Sequence, residues 1–523
     1  MKKILIVLVI AALIGTVSFV HSPVQAAGLK LGDDRLVGEY HNLIVGKRVG
    51  LVTNQTGVNS QGQSIISILA ADKSINLNAL YGPEHGIDGK ASAGAYVKSY
   101  THPTLKIPVY SLYGDTRMPT AEMLKNIDVL VFDIQDIGAR SYTFISTLNY
   151  CMVAAQKYGK AVVVLDRPNP VGGTVVDGPV LEEPFKSFVG IDNLPVAHGM
   201  TAGELAKFYN RKIGANLTVV PMEGYERTMI WQDTGLRWVQ SSPMIPDIDS
   251  VFGYMATGMG EGTGIFMADY FKWVGGKGID SQRFASLMNS AGLPGVQFVP
   301  EKRGSSGGVR LKITDYHTFD PARTGFYALG YAHSLIHFKV PKSGKTVVMF
   351  DKIMGTNKIG QYLEQGLTPQ QIEAKYASGL NAFKNERGKY LIYGGGNVTN
   401  PPPAPPKDIT VQVNGSKITF DVAPYIDKNS RVMVPLRAIA ESLGADAMWD
   451  NNKRQAIITK SSKRSVFTIG SSYATYNGVR TKMDTYPVIR NGRTMMPARF
   501  VVESVGASTY WVNETRTVVV NSQ

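Results

Sequence analysis

Four short apolar runs, each ending in a cluster of turn-forming polar residues, constrain this chain more than any other feature. Arg48–Val52 leads into Thr53-Asn54-Gln55-Thr56-Gly57, and Leu77–Tyr81 into Gly82-Pro83-Glu84-His85-Gly86. Asp128–Phe132 leads into Asp133-Ile134-Gln135-Asp136-Ile137-Gly138-Ala139-Arg140, and Ala161–Leu165 into Asp166-Arg167-Pro168-Asn169-Pro170. Apolar strands alternating with amphipathic helices from residue 28 to about 393 predict an α/β fold. In open parallel sheets, ligands bind outside the carboxyl ends of the strands. One polar strand end is ordinarily a turn or a helix cap. Four in succession, rich in Asp, Glu, Asn and Arg, predict a shared crevice and an active site in it.

The chain has 523 residues, too many for one core, so two or three domains are expected. Lys2 and Lys3 precede an apolar run, Ile4 to Val20, and small residues lead to Ala26. This pattern predicts a secretory signal peptide over residues 1–26 and a secreted, extracellular or wall-associated protein, with no membrane association after cleavage. The single cysteine, Cys151, permits no internal disulfide and falls in a stretch that reads as a helix. The net charge of +14 suits a polyanionic partner. No zinc finger, RRM signature or basic helix favours nucleic acid. An exported protein meets anionic wall polymers and peptidoglycan carboxylates first, although a merely solvated basic surface explains the charge equally well.

A Gly- and Pro-rich stretch over 394–407, running from Gly394-Gly395-Gly396 to Pro405-Pro406, reads as a linker. Beyond it, Val434-Pro435-Leu436-Arg437-Ala438 with Trp449 and Arg454 returns 62 residues later as Met496-Pro497-Ala498-Arg499-Phe500 with Trp511 and Arg516. Each copy predicts a short helix opened by Pro and stopped by Gly, followed by a strand pair, so 408–523 is expected to be a small α+β repeat domain. These residues resemble the N-terminal domain of copper amine oxidases. The segment has no His or Cys to hold copper, so adhesion or wall targeting is the expected role.

Cofactor chemistry finds little support. No G-x-G-x-x-G follows the first strand, the run Gly258–Gly264 lacks the ending of a phosphate loop, and the histidines lack metal-ligand spacing. No cofactor or metal is expected. Gly304-Ser305-Ser306-Gly307-Gly308 matches the form of a nucleophile elbow, but a strand follows it where a helix should, so a glycine turn is expected. Carboxylate chemistry remains. Glycoside hydrolysis needs an acid to protonate the leaving oxygen and a second group at the anomeric carbon. Glu84, between Pro83 and His85, suits the acid; Asp133, Asp136 and Glu182 are candidates for the second role. A 2-acetamido group on the substrate would be an alternative nucleophile, with an Asp polarising it. Arg140 and Arg167 are candidates to bind a sugar carboxylate, or else to pair with a neighbouring Asp. Asn54, Gln55, His85, Tyr142, Asp166, Asn169, His198 and Glu261 complete the expected substrate-binding set.

The segments Gly82–Gly86, Phe132–Thr143, Asp166–Pro170, Ser187–Gly190, His198–Ala206 and Phe350–Thr356 together resemble the exo-β-N-acetylmuramidases, glycoside hydrolase family 171. The resemblance covers residues 28–393. It implies a Rossmann-like parallel-sheet subdomain over 28–249, a second α/β subdomain over 250–393 and a cleft between them. It also implies release of N-acetylmuramic acid from the non-reducing ends of peptidoglycan fragments. After Glu261-Gly262-Thr263 the family continues through a polar stretch carrying Arg and Glu, whereas this chain has Gly264-Ile265-Phe266-Met267-Ala268-Asp269-Tyr270. A changed sugar preference, a peptidoglycan-binding protein without catalysis and an acyl hydrolase are the alternatives.

Overall fold

A computed structural model describes residues 28–394 and 409–522, apart from 428, 430 and 513–515. The expected signal peptide lies outside the described residues, as does the expected linker except for Gly394. The chain divides into two compact units, residues 28–394 in one and 409–522 in the other.

The first unit opens with seven strands: β1 (Arg48–Thr53), β2 (Asn76–Gly82), β3 (Tyr100–Thr101), β4 (Pro108–Ser111), β5 (Val129–Asp133), β6 (Ala161–Leu165) and β7 (Asn216–Val220). They form one sheet in the order β3-β4-β2-β1-β5-β6-β7, parallel throughout except for the short antiparallel edge strand β3. The six parallel strands follow the doubly wound Rossmann order, whose switch point falls between β1 and β5. Side chains alternate between two cores. Val49, Leu51, Val129, Val131 and Val163 join one buried cluster, and Val52, Leu130, Phe132, Val162 and Val164 the other. Both faces are therefore covered, which explains strands that read as continuous β-branched runs.

Helix Ile248–Thr257 leads into the second subdomain, capped by Asp247, which accepts the Ser250 N–H. Strands β8 (Ile265–Ala268), β9 (Trp273–Lys277), β10 (Val296–Arg303) and β11 (Ser306–Ile313) make an antiparallel sheet in the order β10-β11-β9-β8. Helices Ser281–Asn289, Pro321–Ile336 and Pro369–Arg387 belong to the same subdomain. Arg303 pairs with Ser306 across a two-residue turn with Gly304 at φ +57°, so Ser306 starts a hairpin strand and is no nucleophile elbow.

The second unit is a duplicated element. Strands Val432–Pro435 and Arg493–Pro497 pair antiparallel, with Met433 opposite Pro497, Val434 opposite Met496 and Pro435 opposite Met495. Val434 and Met496 are equivalent positions of the repeat, so a local twofold axis passes between them. Each strand runs into a helix, Leu436–Ser442 or Ala498–Ser504, and then a hairpin, Asp446–Asp450 with Gln455–Lys460 or Ser508–Val512 with Thr517–Asn521.

Candidate functional site

The four polar strand ends anticipated from sequence belong to four adjacent strands, β2-β1-β5-β6, and so share one edge of the sheet. What each side chain does there differs sharply.

Glu84 follows β2 and is 8% exposed. The Gly94 N–H donates to its Oε1 at 2.8 Å and the Thr143 hydroxyl to its Oε2 at 2.5 Å, which fixes the carboxyl in place. His85 is held in the left-handed region at φ +70°, and its Nδ1 donates to the Ala91 carbonyl at 2.7 Å. A non-glycine residue persists in that conformation only where its surroundings enforce it. Tyr113 stands beside Glu84, and burial together with the Glu84 charge raises its phenol above the ordinary range. The Arg117 guanidinium lies 3.6 Å from the Tyr113 ring centroid, and Tyr113 packs on Phe188 with centroids 5.8 Å apart. Arg117 donates to the Gly114 carbonyl at 3.2 Å.

Asp136 follows β5 and is 8% exposed. Its Oδ2 accepts the Gly138 N–H at 2.7 Å, a turn that places Gly138 at φ +82°, where a Cβ would come within 2.4 Å of Asn169 Oδ1. The Met200 N–H donates to His198 Nδ1 at 3.2 Å, and His198 Nε2 lies 3.5 Å from Asp136 Oδ2 without a hydrogen-bond partner among the described residues. Asp136 Oδ1 is buried without a hydrogen-bond partner among the described residues. Tyr254, from the helix Ile248–Thr257, is near both carboxylates. Burial, with added repulsion from Glu84 and then Asp136, pushes its phenol up to about 12, and its hydroxyl meets Ser141 Oγ at 3.2 Å. A cavity of about 220 Å³ opens at this point, lined by Ser141, Tyr254, Glu261, Met267, Phe271 and Ile353. It lies between the two subdomains. The divergent segment supplies Met267 from β8, and Asp269, Tyr270 and Phe271 then turn the chain with φ of 51°, 53° and 66°.

Other expected site residues are committed to the scaffold. Arg140 is 1% exposed and donates to the carbonyls of Pro179, Leu194 and Ile353 at 2.7, 2.8 and 2.6 Å. Burial without a carboxylate pulls its pKa down to about 9. Instead of facing a substrate carboxylate, it ties the first subdomain to the second. Arg167 is held by Asp133 (Nε–Oδ1 2.5 Å, Nη2–Oδ2 2.9 Å) and by Asp33 (2.8 Å), all at 3% exposure or less. Asp133, fully buried against that cation, is a structural partner and is not presented to a sugar; burial raises its carboxyl. Asp166 accepts from Thr201 Oγ1, Gly203 N, Tyr393 Oη and Arg167 N at 2.8, 2.7, 2.6 and 2.9 Å. Asn169 bridges Met200 O and Val171 N, and Asn54 closes the turn after β1 by accepting from Thr56. Gln55 donates to the carbonyls of Gln240 and Ser241, and Tyr142 to Ser241 Oγ at 2.9 Å. Glu182 accepts from Lys358 at 2.8 Å and Thr356 at 3.0 Å and so serves the scaffold of the second subdomain. Glu84 and Asp136 thus lie near Tyr254, which lines the cleft cavity together with Glu261; His198 stands behind Asp136, and Arg117, Tyr113 and Thr143 join on the Glu84 side. The signal for the first two of these additions was present: Ser111–Arg117 is a fifth polar strand end, after β4. Among the described residues, no cluster of His, Cys, Asp and Glu could hold a metal.

Two fixed carboxylates and a phenol, set where a Rossmann-ordered sheet meets an antiparallel subdomain, supply the groups that a carboxylate-dependent hydrolase of the glycosidase class uses. The family model for the exo-β-N-acetylmuramidase NamZ N-terminal region matches residues 49–249 and that for its C-terminal region residues 252–393. The chain is 42% identical over 382 residues to the peptidoglycan β-N-acetylmuramidase NamZ of Bacillus subtilis, covering 70% of this chain and 91% of that protein. A crystal structure of a DUF1343 family protein from Bacteroides fragilis superposes with a TM-score of 0.63 at 36% identity, covering 70% of this chain and 99% of that one. A second from the same species, at TM-score 0.52 and 24% identity, shares the fold. The chain belongs to the exo-β-N-acetylmuramidase NamZ family and is a glycoside hydrolase. Residues 412–520 match the copper amine oxidase N-terminal domain. A protease inhibitor from Brevibacillus choshinensis is 32% identical over 126 residues, 24% of this chain and 38% of that protein.

Proposed function

We propose that this chain is a secreted exo-acting β-N-acetylmuramidase that releases N-acetylmuramic acid from the non-reducing ends of peptidoglycan fragments during cell-wall turnover. Family membership and the activity of the Bacillus subtilis relative support the bond and the sugar. The observation that carries the assignment to residues is the pair of carboxylates flanking Tyr254. Glu84, gripped by Gly94 and Thr143 on a rigid turn, is the general acid at the leaving oxygen. Asp136 has one oxygen fixed by Gly138 and the other unpartnered, which suits it to accept the N–H of the 2-acetamido group and turn that group's carbonyl oxygen toward the anomeric carbon. Arg117, stacked on Tyr113 beside Glu84, is the cation for the lactyl carboxylate that distinguishes muramic acid from glucosamine. The C-terminal repeat module holds the enzyme at the wall. Its cavity of about 520 Å³ is lined in part by Trp449 and by the ion pairs Arg437–Glu441 and Arg493–Asp421.

Hydrolysis of a chromogenic N-acetylmuramic acid glycoside by the wild type and by Glu84→Gln tests the reading. The wild type should turn it over, and the variant should lose about 100-fold or more while retaining its fold. A wild type that binds the glycoside without cleaving it would establish the non-catalytic alternative.

A further inference from the structure

Residues 409–523 carry 15 Lys and Arg against 8 Asp and Glu, a net charge of +7, which is half of the chain's +14 in under a quarter of its length. Strand register shows where part of that excess lies. Strands Asp446–Asp450, Gln455–Lys460, Lys463–Thr468, Tyr473–Tyr476 and Val479–Lys482 form an antiparallel sheet, each paired with the next. Ala456, Ile458, Phe467 and Ala474 join the buried core of the second unit. Side chains alternate along a strand, so Met448, Arg464, Val466, Thr475, Arg480 and Lys482 stand on the opposite, outer face. On that face Thr459 opposes Arg464, Thr475 opposes Arg480 and Tyr473 opposes Lys482.

Three observations specify what fits. First, the cations of this face are uncompensated. Arg464, Arg480 and Lys482 are exposed and have no acidic partner among the described residues; the ion pairs of the second unit engage Arg431, Arg437, Lys453 and Arg493. The acids of the face, Asp446 and Asp450, stand on the opposite edge strand. Second, the Arg480 guanidinium lies 4.1 Å from the Tyr473 ring centroid, which holds it on the face, and Thr459, Thr468 and Thr475 add hydroxyls among the cations. Guanidinium and hydroxyl donors together suit phosphate oxygens. Third, Arg480 and Lys482 are about 7 Å apart along one strand, and Arg464 lies two strands, about 10 Å, across the sheet. Cations at such intervals meet successive charges of a flexible polyanion. Tyr473 is the one aromatic side chain at the outward positions of these strands and is already engaged by Arg480, so a nucleobase finds no open platform. Met448 is 65% exposed, but Asp446 and Asp450 flank it and would be repelled by an anionic bilayer.

We propose, on the reading that the second unit holds the enzyme at the wall, that this outer face grips a phosphodiester polymer of the polyol phosphate type. Arg464, Arg480 and Lys482 each meet one phosphate, and the threonine hydroxyls complete the contacts. The attraction is ionic and exposed, so added salt weakens it.

The test is calorimetric titration of the full chain, over a salt series, with poly(glycerol phosphate), polyglutamate and vesicles of phosphatidylglycerol and phosphatidylcholine. A face variant combining Arg464→Gln, Arg480→Gln and Lys482→Gln is compared with a control of equal net charge, Lys417→Gln with Arg490→Gln and Arg499→Gln, three exposed cations away from this face. The face variant should weaken poly(glycerol phosphate) about tenfold or more and flatten the slope of log affinity against log salt by about two, at about 0.7 per lost contact. The control should stay within about threefold of the wild type. If thermal unfolding shows the triple variant unfolded, Arg464→Gln and Lys482→Gln singly should each flatten the slope by about 0.7. Absence of binding by the wild type, equal losses in the face and control variants, or tighter binding of polyglutamate or of the vesicles overturns the proposal. Sedimentation with purified walls, before and after hydrofluoric acid has cleaved their phosphodiester polymers, separates this outcome from that of the wall reading. Adhesion should fall after extraction. Equal adhesion overturns the phosphodiester polymer and leaves wall attachment standing, whereas adhesion to neither preparation refutes wall attachment while the titration still decides the face.

Discussion

Replacing Arg117 by Lys is the sharpest test of how the lactyl carboxylate is read. The guanidinium carbon lies 3.6 Å from the Tyr113 ring centroid and one nitrogen donates to the Gly114 carbonyl at 3.2 Å, which leaves further donors for a ligand. Stacking pre-orients the planar fork, and a carboxylate completes two parallel charge-assisted hydrogen bonds. Lysine keeps the charge but offers no fork, and its ammonium does not hold the ring-parallel geometry. One lost charge-assisted bond costs about 1.5–3 kcal/mol, or roughly tenfold to a hundredfold in kcat/KM for the muramide. A glucosaminide lacks the carboxylate and should be unaffected. The measurement is therefore the ratio of kcat/KM for chromogenic N-acetylmuramide and N-acetylglucosaminide, in wild type and variant. A ratio that stays constant, or rates that fall equally for both sugars, would refute the role of Arg117.

Arg140→Lys should leave that ratio alone and destabilise the first unit by about 3–5 kcal/mol, because at least two of three buried donor bonds are lost; denaturant unfolding reads it. Asp166 is pushed up to about 7, with burial as the first cause, so the folded state binds a proton that the unfolded chain releases near its ordinary value of 3.8. Its contribution is fully present below that value and is lost as pH rises through about 7. The difference in stability between wild type and Asp166→Asn should accordingly fall between about pH 4 and 7, and a flat difference curve would contradict it. Met496→Ala, at 0% exposure on the local twofold of the second unit, should cost about 2–5 kcal/mol there and leave hydrolysis of soluble substrate unchanged.

The strands were legible because burial on both sheet faces leaves unbroken runs such as Val162-Val163-Val164, and the strand ends were legible because turns concentrate polar residues. β4 is harder to see: it is four residues long and begins at Pro108, so its polar end and Arg117 escaped notice. Partnership is the quantity a sequence hides. Asp133 and Asp136 stand three residues apart on the same strand end, yet one is consumed by Arg167 and the other keeps an open oxygen. Arg140 and Arg167 read alike as guanidiniums after strands. Only the fold reveals that three carbonyls surround one and two carboxylates the other. The ion-pair alternative anticipated for both arginines is realised for Arg167, with Asp133 and Asp33 in place of the adjacent Asp166.

The axis between Val434 and Met496 has a directional consequence. Rotation by half a turn presents the two copies of the repeat to a surface polymer with opposite polarity. A glycan strand has distinct reducing and non-reducing ends, and a polyphosphate chain is likewise directional. A polymer recognised by its direction can satisfy only one copy at a time. Two antiparallel strands, as occur where wall polymers lie side by side, would satisfy both, and the module would then act as a clasp between strands and not as a grip on one.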